Sequence, residues 1–197
     1  WHHLFFLPDN NERILAAVLK DGLGTVSWLL PGFEPEENVK VLNKVQKYAV
    51  EKTRLGIPVL FHGDATAGAL FYGATYFPTP LGLAAMWEPE LVGEMAEVIR
   101  EQMVEYGARL VLSPVLDIVR DPRWGRIGET FGEDPYLVSQ MGKAYVMNMQ
   151  GIDMSKAVLA TGKHFLGYAA GEGGRNRDVL NIEYRELREI YARPFEA

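Results

Sequence analysis

The sequence predicts an α/β protein whose parallel sheet is part of a (β/α)8 barrel of about four β/α units. Short apolar runs alternate with amphipathic helical segments along all 197 residues, and a polar loop follows each apolar run. Such β-then-α units imply parallel strands joined by right-handed crossovers. No glycine-rich phosphate motif follows the first strand and no P-loop signature occurs, which favours a barrel over a nucleotide-binding doubly wound sheet.

The first two β/α units are predicted from local signals in the first half of the chain. The capping residues Asp9-Asn10-Asn11 predict a helix from Glu12 to Lys20, and Thr25 to Leu30 has the apolar character of a buried strand. An amphipathic pattern predicts a long helix from Glu34 to Leu55, which the turn residues Gly56-Ile57-Pro58 end. The second strand is expected from Pro58 to His62.

The later units follow the same alternation. A helix is predicted from Glu88 to Gly107 because Pro89 suits a first helical turn and apolar residues recur at helical spacing. A third strand is expected from Leu110 to Leu116, and Asp134-Pro135 begins the next helix, which runs towards Gly151. A fourth strand from Val158 to Thr161 and a helix from Ile182 to Glu196 complete the prediction.

Composition excludes several kinds of partner. The net charge is -6 and no basic run occurs, so nucleic acid is not expected to bind. No apolar stretch approaches the roughly 20 residues that span a bilayer, so a membrane is not expected either. The chain has no cysteine, and its 4 histidines lack a metal-ligand spacing, so we expect no metal and no cofactor. His62 is expected to be hydrogen-bonded. A signal peptide is expected to be absent or already removed, which leaves the compartment undecided.

Charged residues follow three successive predicted strands. Because the carboxyl ends of parallel strands meet at one edge of the sheet, these side chains are expected to converge there. They are Asp64, Asp117, Arg126, Lys163, His164 and Arg175. The sequence therefore predicts a binding site at this edge.

The loop from Arg120 to Tyr136 combines arginines, carboxylates and aromatic rings between a strand and a helix. Guanidinium groups can donate paired hydrogen bonds to neighbouring hydroxyls, and rings stack on the C–H faces of sugars. This composition favours a neutral, polyhydroxylated ligand. The alternative is a surface loop held together by salt bridges.

Several motifs resemble one known family. They are Gly56-Ile57-Pro58-Val59-Leu60-Phe61 leading to Asp64, Gly73-Ala74-Thr75-Tyr76-Phe77-Pro78, Leu81-Gly82-Leu83-Ala84-Ala85 with Trp87, Leu112-Ser113-Pro114-Val115-Leu116-Asp117, Arg120-Asp121-Pro122-Arg123-Trp124-Gly125-Arg126 and Lys163-His164-Phe165. In this order, from about Gly22 to Ala197, they resemble the N-terminal (β/α)8 domain of glycoside hydrolase family 3, which contains β-glucosidases, β-xylosidases and related exo-acting enzymes.

The resemblance implies roles for individual residues. It assigns Asp64, Arg126, Lys163 and His164 to the hydroxyls of the non-reducing terminal sugar, and Arg175, in a glycine-rich loop, to the same ligand. It implies that Arg120, Asp121, Arg123 and Glu129 hold Arg126 in place, and that Trp87 packs at a helix start. Ser113-Pro114 is expected to allow a cis peptide. The backbone at Lys163-His164-Phe165 is expected to be irregular, since adjacent strand residues otherwise point to opposite faces.

The resemblance also implies retaining hydrolysis by a carboxylate nucleophile and a general acid/base. No residue of this chain matches the family's nucleophile, which lies on a later strand, and the acid/base comes from another domain or from a histidine in a KHFPGHG motif. Here Leu166-Gly167-Tyr168 follows Phe165 and that histidine is lacking. We therefore expect no catalytic residue in the chain.

Residues 1–197 are accordingly expected to form the N-terminal part of a family 3 barrel domain, truncated before the nucleophile strand. The expected function is the glycone-binding part of a retaining exo-acting β-glycosidase for terminal glucose- or xylose-type sugars, inactive alone. The expected partners are a β-linked oligosaccharide or glycoside and the remainder of the parent polypeptide. The alternative is a non-catalytic sugar-binding half-barrel. Which sugar and linkage are preferred stays open.

Overall fold

A computed structural model of the protein describes residues 12–27 and 34–197. The strands are β1 (Thr25–Ser27), β2 (Leu60–Gly63), β3 (Leu110–Val111) and β4 (Leu159–Ala160). The helices are α1 (Glu12–Leu19), α2 (Pro35–Lys52), α3 (Pro80–Ala84), α4 (Pro89–Glu105), α5 (Pro135–Gln150), α6 (Tyr184–Glu186) and α7 (Arg193–Glu196). Short 3-10 turns lie at Ile127–Glu129, Met154–Lys156, Tyr168–Ala170 and Glu172–Gly174, and a π-helical turn at Leu187–Tyr191.

The four strands form one parallel sheet in the order β1-β2-β3-β4. The predicted α/β fold with four consecutive parallel units is therefore confirmed. Residues 28–30 of the predicted first strand lie outside the described residues. The other strands are shorter than predicted, and β3 ends at Val111 where the prediction continued to Leu116. Pro114 has no N–H to donate to a ladder, and parallel pairing returns only at Val115, opposite Lys163 and Thr130.

The core lies between one face of the sheet and the helices. In the pairing register Val26 is opposite Phe61, and Val111 is opposite Gly63 and Ala160, so these residues share a face. Phe61 and Val111 are buried in one cluster with side chains of α2, α4 and α5. The helix residues that supply this cluster include Leu42, Val45, Met95, Ile99, Met103, Val138, Met141 and Tyr145. Burial of this face fixes the register and therefore the position of every strand end.

The opposite face of the sheet is less covered. Leu110 is paired with His62 on one side and Leu159 on the other, so all three point to this second face. Leu159 is 46% exposed although it is a strand residue. In a closed barrel this face would line the interior, where such side chains are buried.

The helix starts follow the predicted signals closely, with two exceptions. Asp134 caps α5 by accepting a hydrogen bond from the backbone N–H of Leu137 at 2.7 Å, as its position before Pro135 predicts. The last helical segment begins at Tyr184 and not at Ile182. Trp87 does not pack at the start of α4; it is 69% exposed and has a φ of 58°. None of the helices in residues 12–27 and 34–197 is long and apolar enough to cross a membrane.

Candidate functional site

Three strand ends place charged side chains at one edge of the sheet. Asp64 directly follows β2, Asp117 follows β3, and Lys163 and His164 follow β4. The extra pairing of Val115 with Lys163, in which the amide N–H of Leu116 donates to the Lys163 carbonyl at 2.6 Å, brings the ends of β3 and β4 together. The predicted convergence of Asp64, Lys163 and His164 with Asp117 is thus present in the structure.

Lys163 and Asp64 form the first ion pair of the site. The Nζ of Lys163 donates to Oδ1 of Asp64 at 2.7 Å, which joins the end of β4 to the end of β2. The Lys163 side chain is 17% exposed and that of Asp64 37%, so both retain an open side. A ligand at this edge can therefore meet a donor and an acceptor side by side.

Arg126 and Glu129 form the second pair. Nε and Nη2 of Arg126 each donate to one carboxylate oxygen of Glu129 at 2.7 Å, the forked geometry that arginine favours. The 3-10 turn that begins after Arg126 brings the two residues together. The hydrogen bonds from Arg126 lower the pKa of Glu129, and the same bonds raise the pKa of Arg126. Both groups are therefore charged at neutral pH.

Aromatic rings support this arginine. The Cζ of Arg126 lies 5.6 Å from the centre of the Tyr168 ring and 5.8 Å from that of Trp124, within the range of cation–π attraction. Trp124 is fully buried, and the two rings meet edge to face at 5.5 Å. The guanidinium is consequently positioned by a carboxylate and by two ring systems.

His164 and Asp117 form the third pair. Oδ2 of Asp117 lies 2.7 Å from Nδ1 of His164 and 3.1 Å from its backbone nitrogen. Nε2 of the same imidazole lies 3.4 Å from Nη1 of Arg126. The Asp117 side chain is only 1% exposed, and burial raises its pKa while the hydrogen bonds from His164 act against that rise. His164 thus links the second pair to the third.

The backbone around Lys163 and His164 is irregular, as predicted. The peptide bonds Lys163-His164 and Phe165-Leu166 are cis, and so is Ser113-Pro114. Lys163 and His164 are adjacent in the chain. Lys163 reaches Asp64, while His164 reaches Asp117 and Arg126. Both side chains therefore lie at the same edge of the sheet.

The prediction that Arg126 is held by Arg120, Asp121, Arg123 and Glu129 is only partly correct. Glu129 holds Arg126, but Asp121 pairs with Arg123 through Oδ2 and Nη2 at 2.6 Å, and Arg120 pairs with Glu186 at 2.7 Å. These pairs stabilise the loop itself and its contact with the last helical segment. They act on Arg126 through the loop and not through direct hydrogen bonds.

Among the described residues, Arg175 pairs with Asp178 and not with the other predicted site residues. Its Nε pairs with Oδ2 of Asp178, three residues away, and its side chain is 72% exposed. The loop that carries it does approach the site loop, since a side chain at Gly174 would meet Cβ of Arg123 at 2.8 Å. Gly174 also has a positive φ of 71°, a conformation that suits glycine.

Sequence reasoning missed the role of Tyr168 and understated that of Asp117. The Tyr168 ring lies 4.7 Å from the His164 ring and also contacts Arg126, so it forms one side of the site. Tyr168 lies four residues after His164, at the end of the segment that begins at Lys163, and this position could have indicated that its ring lies near the site. The pairing of Asp117 with His164 depends on the register of β3 against β4, which the sequence does not encode locally.

His62 differs from its prediction. It is buried, yet within the described residues its Nδ1 has no hydrogen-bond partner, so the expected hydrogen bond is wrong for that atom. Burial lowers the pKa of His62, and the charge of nearby Asp64 partly opposes this effect. The lowered pKa favours the neutral imidazole of His62 at neutral pH.

Known proteins are similar to this chain in sequence. The chain is 40% identical over 154 residues to a β-xylosidase from Formosa agariphila, which covers 73% of this chain and 21% of that protein. It is 32% identical over 192 residues to a periplasmic β-glucosidase from Salmonella typhimurium, covering 96% of this chain and 24% of the relative. The chain thus spans about a fifth to a quarter of the length of these relatives.

Solved structures and a family model give the same result. The fold is similar to that of a β-glucosidase from Erythrobacter marinus, with a TM-score of 0.87 and 33% identity over 91% of this chain and 24% of that one. A β-glucosidase from Listeria innocua in complex with glucose gives a TM-score of 0.72 and 39% identity over 77% of this chain and 21% of that one. The model of the glycosyl hydrolase family 3 N-terminal domain matches residues 6–197. Because that match extends over nearly the whole sequence, the chain belongs to glycosyl hydrolase family 3, within its N-terminal domain.

Proposed function

We propose that this chain supplies the glycone-binding part of a retaining, exo-acting β-glycosidase that acts on terminal β-linked sugars of the glucose or xylose type. Asp64, Arg126, Lys163 and His164 hold the hydroxyls of the terminal sugar. Arg175, whose side chain pairs with Asp178 in the structure, is a further ligand contact when that pair opens. The substrate class is a β-linked oligosaccharide or glycoside.

The pairing of charges at the site is the observation that supports this proposal best. Lys163 pairs with Asp64 and Arg126 pairs with Glu129, so each of these cations has its own carboxylate before any ligand arrives. Such a site has little net charge to attract an anion such as a phosphate. It does offer fixed donors beside fixed acceptors, the arrangement that a neutral sugar with neighbouring hydroxyls requires.

The carboxylates of the site are engaged in ways that suit binding better than bond cleavage. Asp64 accepts from Lys163, and Glu129 is held at both oxygens by Arg126. Asp117 is buried beneath His164 and cannot reach a ligand. Retaining hydrolysis needs one carboxylate free to attack the anomeric carbon and a second group to protonate the leaving oxygen. We propose that both come from polypeptide outside these 197 residues.

The names of the relatives support the same reading. The matched proteins from Formosa agariphila and Salmonella typhimurium are called a β-xylosidase and a β-glucosidase, and the Listeria innocua structure contains glucose. The two sugars differ at the C5 substituent. Donors and acceptors aimed at shared hydroxyls would serve both.

Turnover of aryl β-glycosides tests the proposal. We expect the purified 197-residue chain to release no aryl group from an aryl β-glucoside or an aryl β-xyloside. The protein expressed from its full coding sequence is expected to hydrolyse at least one of them, with the β-anomer as the first product by proton NMR. An α-anomer as first product would contradict a retaining enzyme.

Binding by the chain alone separates this function from a non-catalytic sugar-binding module. Calorimetric titration with glucose and with xylose measures binding without chemistry, and Lys163→Met is the matched variant that removes one donor. Sugar binding combined with an inactive full-length protein would favour the module. Turnover by the repurified chain itself would overturn the assignment of catalysis to other polypeptide.

A further inference from the structure

The imidazole of His164 lies between a hydrogen-bond acceptor, the carboxylate of Asp117, and a hydrogen-bond donor, the guanidinium of Arg126. Nδ1 of His164 lies 2.7 Å from a carboxylate oxygen of Asp117, and Nε2 lies 3.4 Å from Nη1 of Arg126. A neutral imidazole has one N–H and one lone pair, so its two nitrogens cannot serve the same role. The neighbours therefore select which nitrogen bears the proton.

The arginine side excludes a proton on Nε2. A guanidinium has five N–H donors and no acceptor, and it stays charged in proteins. The fork of Arg126 is fixed by Glu129, so Nη1 cannot turn away from the ring without breaking that pair. An N–H on Nε2 would face an N–H of Arg126, whereas a lone pair there accepts a hydrogen bond from it.

The carboxylate side leads to the same result. Oδ2 of Asp117 accepts the backbone N–H of His164 at 3.1 Å and faces Nδ1 of the same residue at 2.7 Å. One oxygen thus holds both the backbone and the ring of His164, which fixes the ring orientation. The other oxygen, Oδ1, is buried and has no hydrogen-bond partner among the described residues, so nothing there competes for the carboxylate.

We propose that Asp117 is a positioning residue that, together with Arg126, fixes His164 as the neutral tautomer with its proton on Nδ1. Nε2 is then a hydrogen-bond acceptor beside the donors of Arg126 and Lys163. Asp117 acts only through His164, because its own side chain is 1% exposed.

The tautomer limits which ligand groups can bind at Nε2 of His164, an inference that rests on the proposed function. A sugar hydroxyl that meets Nε2 must donate its hydrogen, and the same oxygen is then free to accept from Arg126. Such a hydroxyl would bridge Nη1 of Arg126 and Nε2 of His164 from the side, and it would replace the direct 3.4 Å contact between them, since Nε2 has one lone pair. Discrimination is expected against any substituent that can accept a hydrogen bond but cannot donate one.

The tautomer can be measured without any sugar. Long-range proton–nitrogen correlation spectra of protein labelled with nitrogen-15 in histidine distinguish the protonated ring nitrogen from the bare one, and the His164 signals are assigned by their loss in His164→Gln. At neutral pH we expect a protonated Nδ1 and a bare Nε2. A proton on Nε2, alone or together with one on Nδ1, overturns the proposal.

Two variants then test the role of Asp117. In Asp117→Ala the preference for Nδ1–H is expected to weaken, because Arg126 alone then selects the tautomer. In Asp117→Asn it is expected to persist, because the backbone N–H of His164 needs an acceptor and so turns the amide oxygen towards His164. Full retention of the signature in Asp117→Ala, or its loss in Asp117→Asn, contradicts the proposed role. If Asp117→Ala does not fold, the wild-type and Asp117→Asn spectra still decide.

Fluorinated sugars test the consequence for binding. Fluorine can accept weakly but cannot donate, so replacing the hydroxyl at Nε2 should weaken affinity by about tenfold. Each hydroxyl of glucose is replaced in turn, and the affected position is expected to lose its discrimination in His164→Gln. If no position behaves in this way although glucose itself binds, the acceptor role is wrong while the binding function stands. If glucose does not bind, the proposed function fails and the tautomer measurement remains independent of it.

Discussion

The Nζ of Lys163 lies 2.7 Å from Oδ1 of Asp64, although the two residues are 99 positions apart in the chain. This contact spans β3, because Lys163 follows β4 and Asp64 follows β2. It therefore forms only when three strands are in register. The pair therefore depends on the assembly of the sheet edge, and it is also part of the candidate site.

The Lys163–Asp64 pair is expected to be energetically coupled. In a double-mutant cycle with Lys163→Met and Asp64→Asn, we expect a coupling free energy of about 0.5–3 kcal/mol in unfolding, as for residues in direct contact. Urea denaturation of the four proteins measures it. The exposed helical pair Arg185–Glu189 is the matched control and should give about 0.3–0.5 kcal/mol. Equal coupling in both pairs would show that the site pair is an ordinary surface contact.

Arg126→Lys should lower kcat/KM of the full-length protein by about one to two orders of magnitude, since an ammonium cannot reproduce the forked donors. Steady-state kinetics on an aryl β-glycoside measure the change. Arg123→Lys is the control in the same loop, because Arg123 pairs with Asp121 and not with Arg126. It should act mainly by lowering the melting temperature. Unchanged sugar affinity in Arg126→Lys together with an equal stability loss in both variants would make Arg126 structural.

Tyr145→Phe should destabilise the fold, and it changes no residue of the candidate site. The buried Tyr145 hydroxyl donates to the Ala65 carbonyl at 2.7 Å and lies 2.8 Å from the Ser113 hydroxyl, which donates to it. Removing it leaves both partners buried without a hydrogen bond, at about 1–3 kcal/mol in free energy of unfolding. Chemical denaturation measures the loss. Tyr136→Phe, also in α5 but 73% exposed, should stay within about 0.5 kcal/mol of wild type. A similar loss in the two variants would rule out the buried hydroxyl as its cause.

His62 should make stability depend on pH. Burial lowers its pKa in the folded chain below the ordinary value of 6.5, so on acidification the unfolded chain takes up the proton first. The free energy of unfolding of wild type relative to His62→Gln should therefore fall as the pH falls from about 7 to 5. Urea denaturation across this range measures it. Adding Asp64→Asn to both proteins should extend the fall to lower pH, because Asp64 opposes the pKa shift. If the free energy of unfolding of wild type relative to His62→Gln rose on acidification, that would contradict the effect of burial on the pKa of His62.

The parts of this structure that follow from short-range signals were predictable. Asp134-Pro135 fixes the start of α5, and Arg126 and Glu129 are close enough in sequence for one 3-10 turn to join them. The fold class followed from the alternation of apolar runs and amphipathic helices. Arg126, Lys163, His164 and Asp64 meet at one edge, as their positions after strands predicted.

What depends on register and burial was not predictable. The contact of Asp117 with His164 needs Val115 opposite Lys163, a pairing beyond the end of the regular ladder. Pro114 interrupts β3 by lacking an N–H, so an apolar run that continues to Leu116 does not remain a strand. Trp87 has a large, mostly apolar side chain, yet the structure leaves it exposed. The family resemblance gave Glu129 as a partner of Arg126, but it did not predict the pairing of Lys163 with Asp64 or of His164 with Asp117.

Gly174 lies so close to Arg123 that a side chain at position 174 would meet the Cβ of Arg123 at 2.8 Å. The loop that presents Arg126 and the glycine-rich loop therefore meet at a point where only glycine leaves enough room. A larger residue there would have to displace the backbone of one loop or the other, and the positive φ of 71° would strain it as well. The spacing between the two loops is thus set at this one position, by the lack of a side chain.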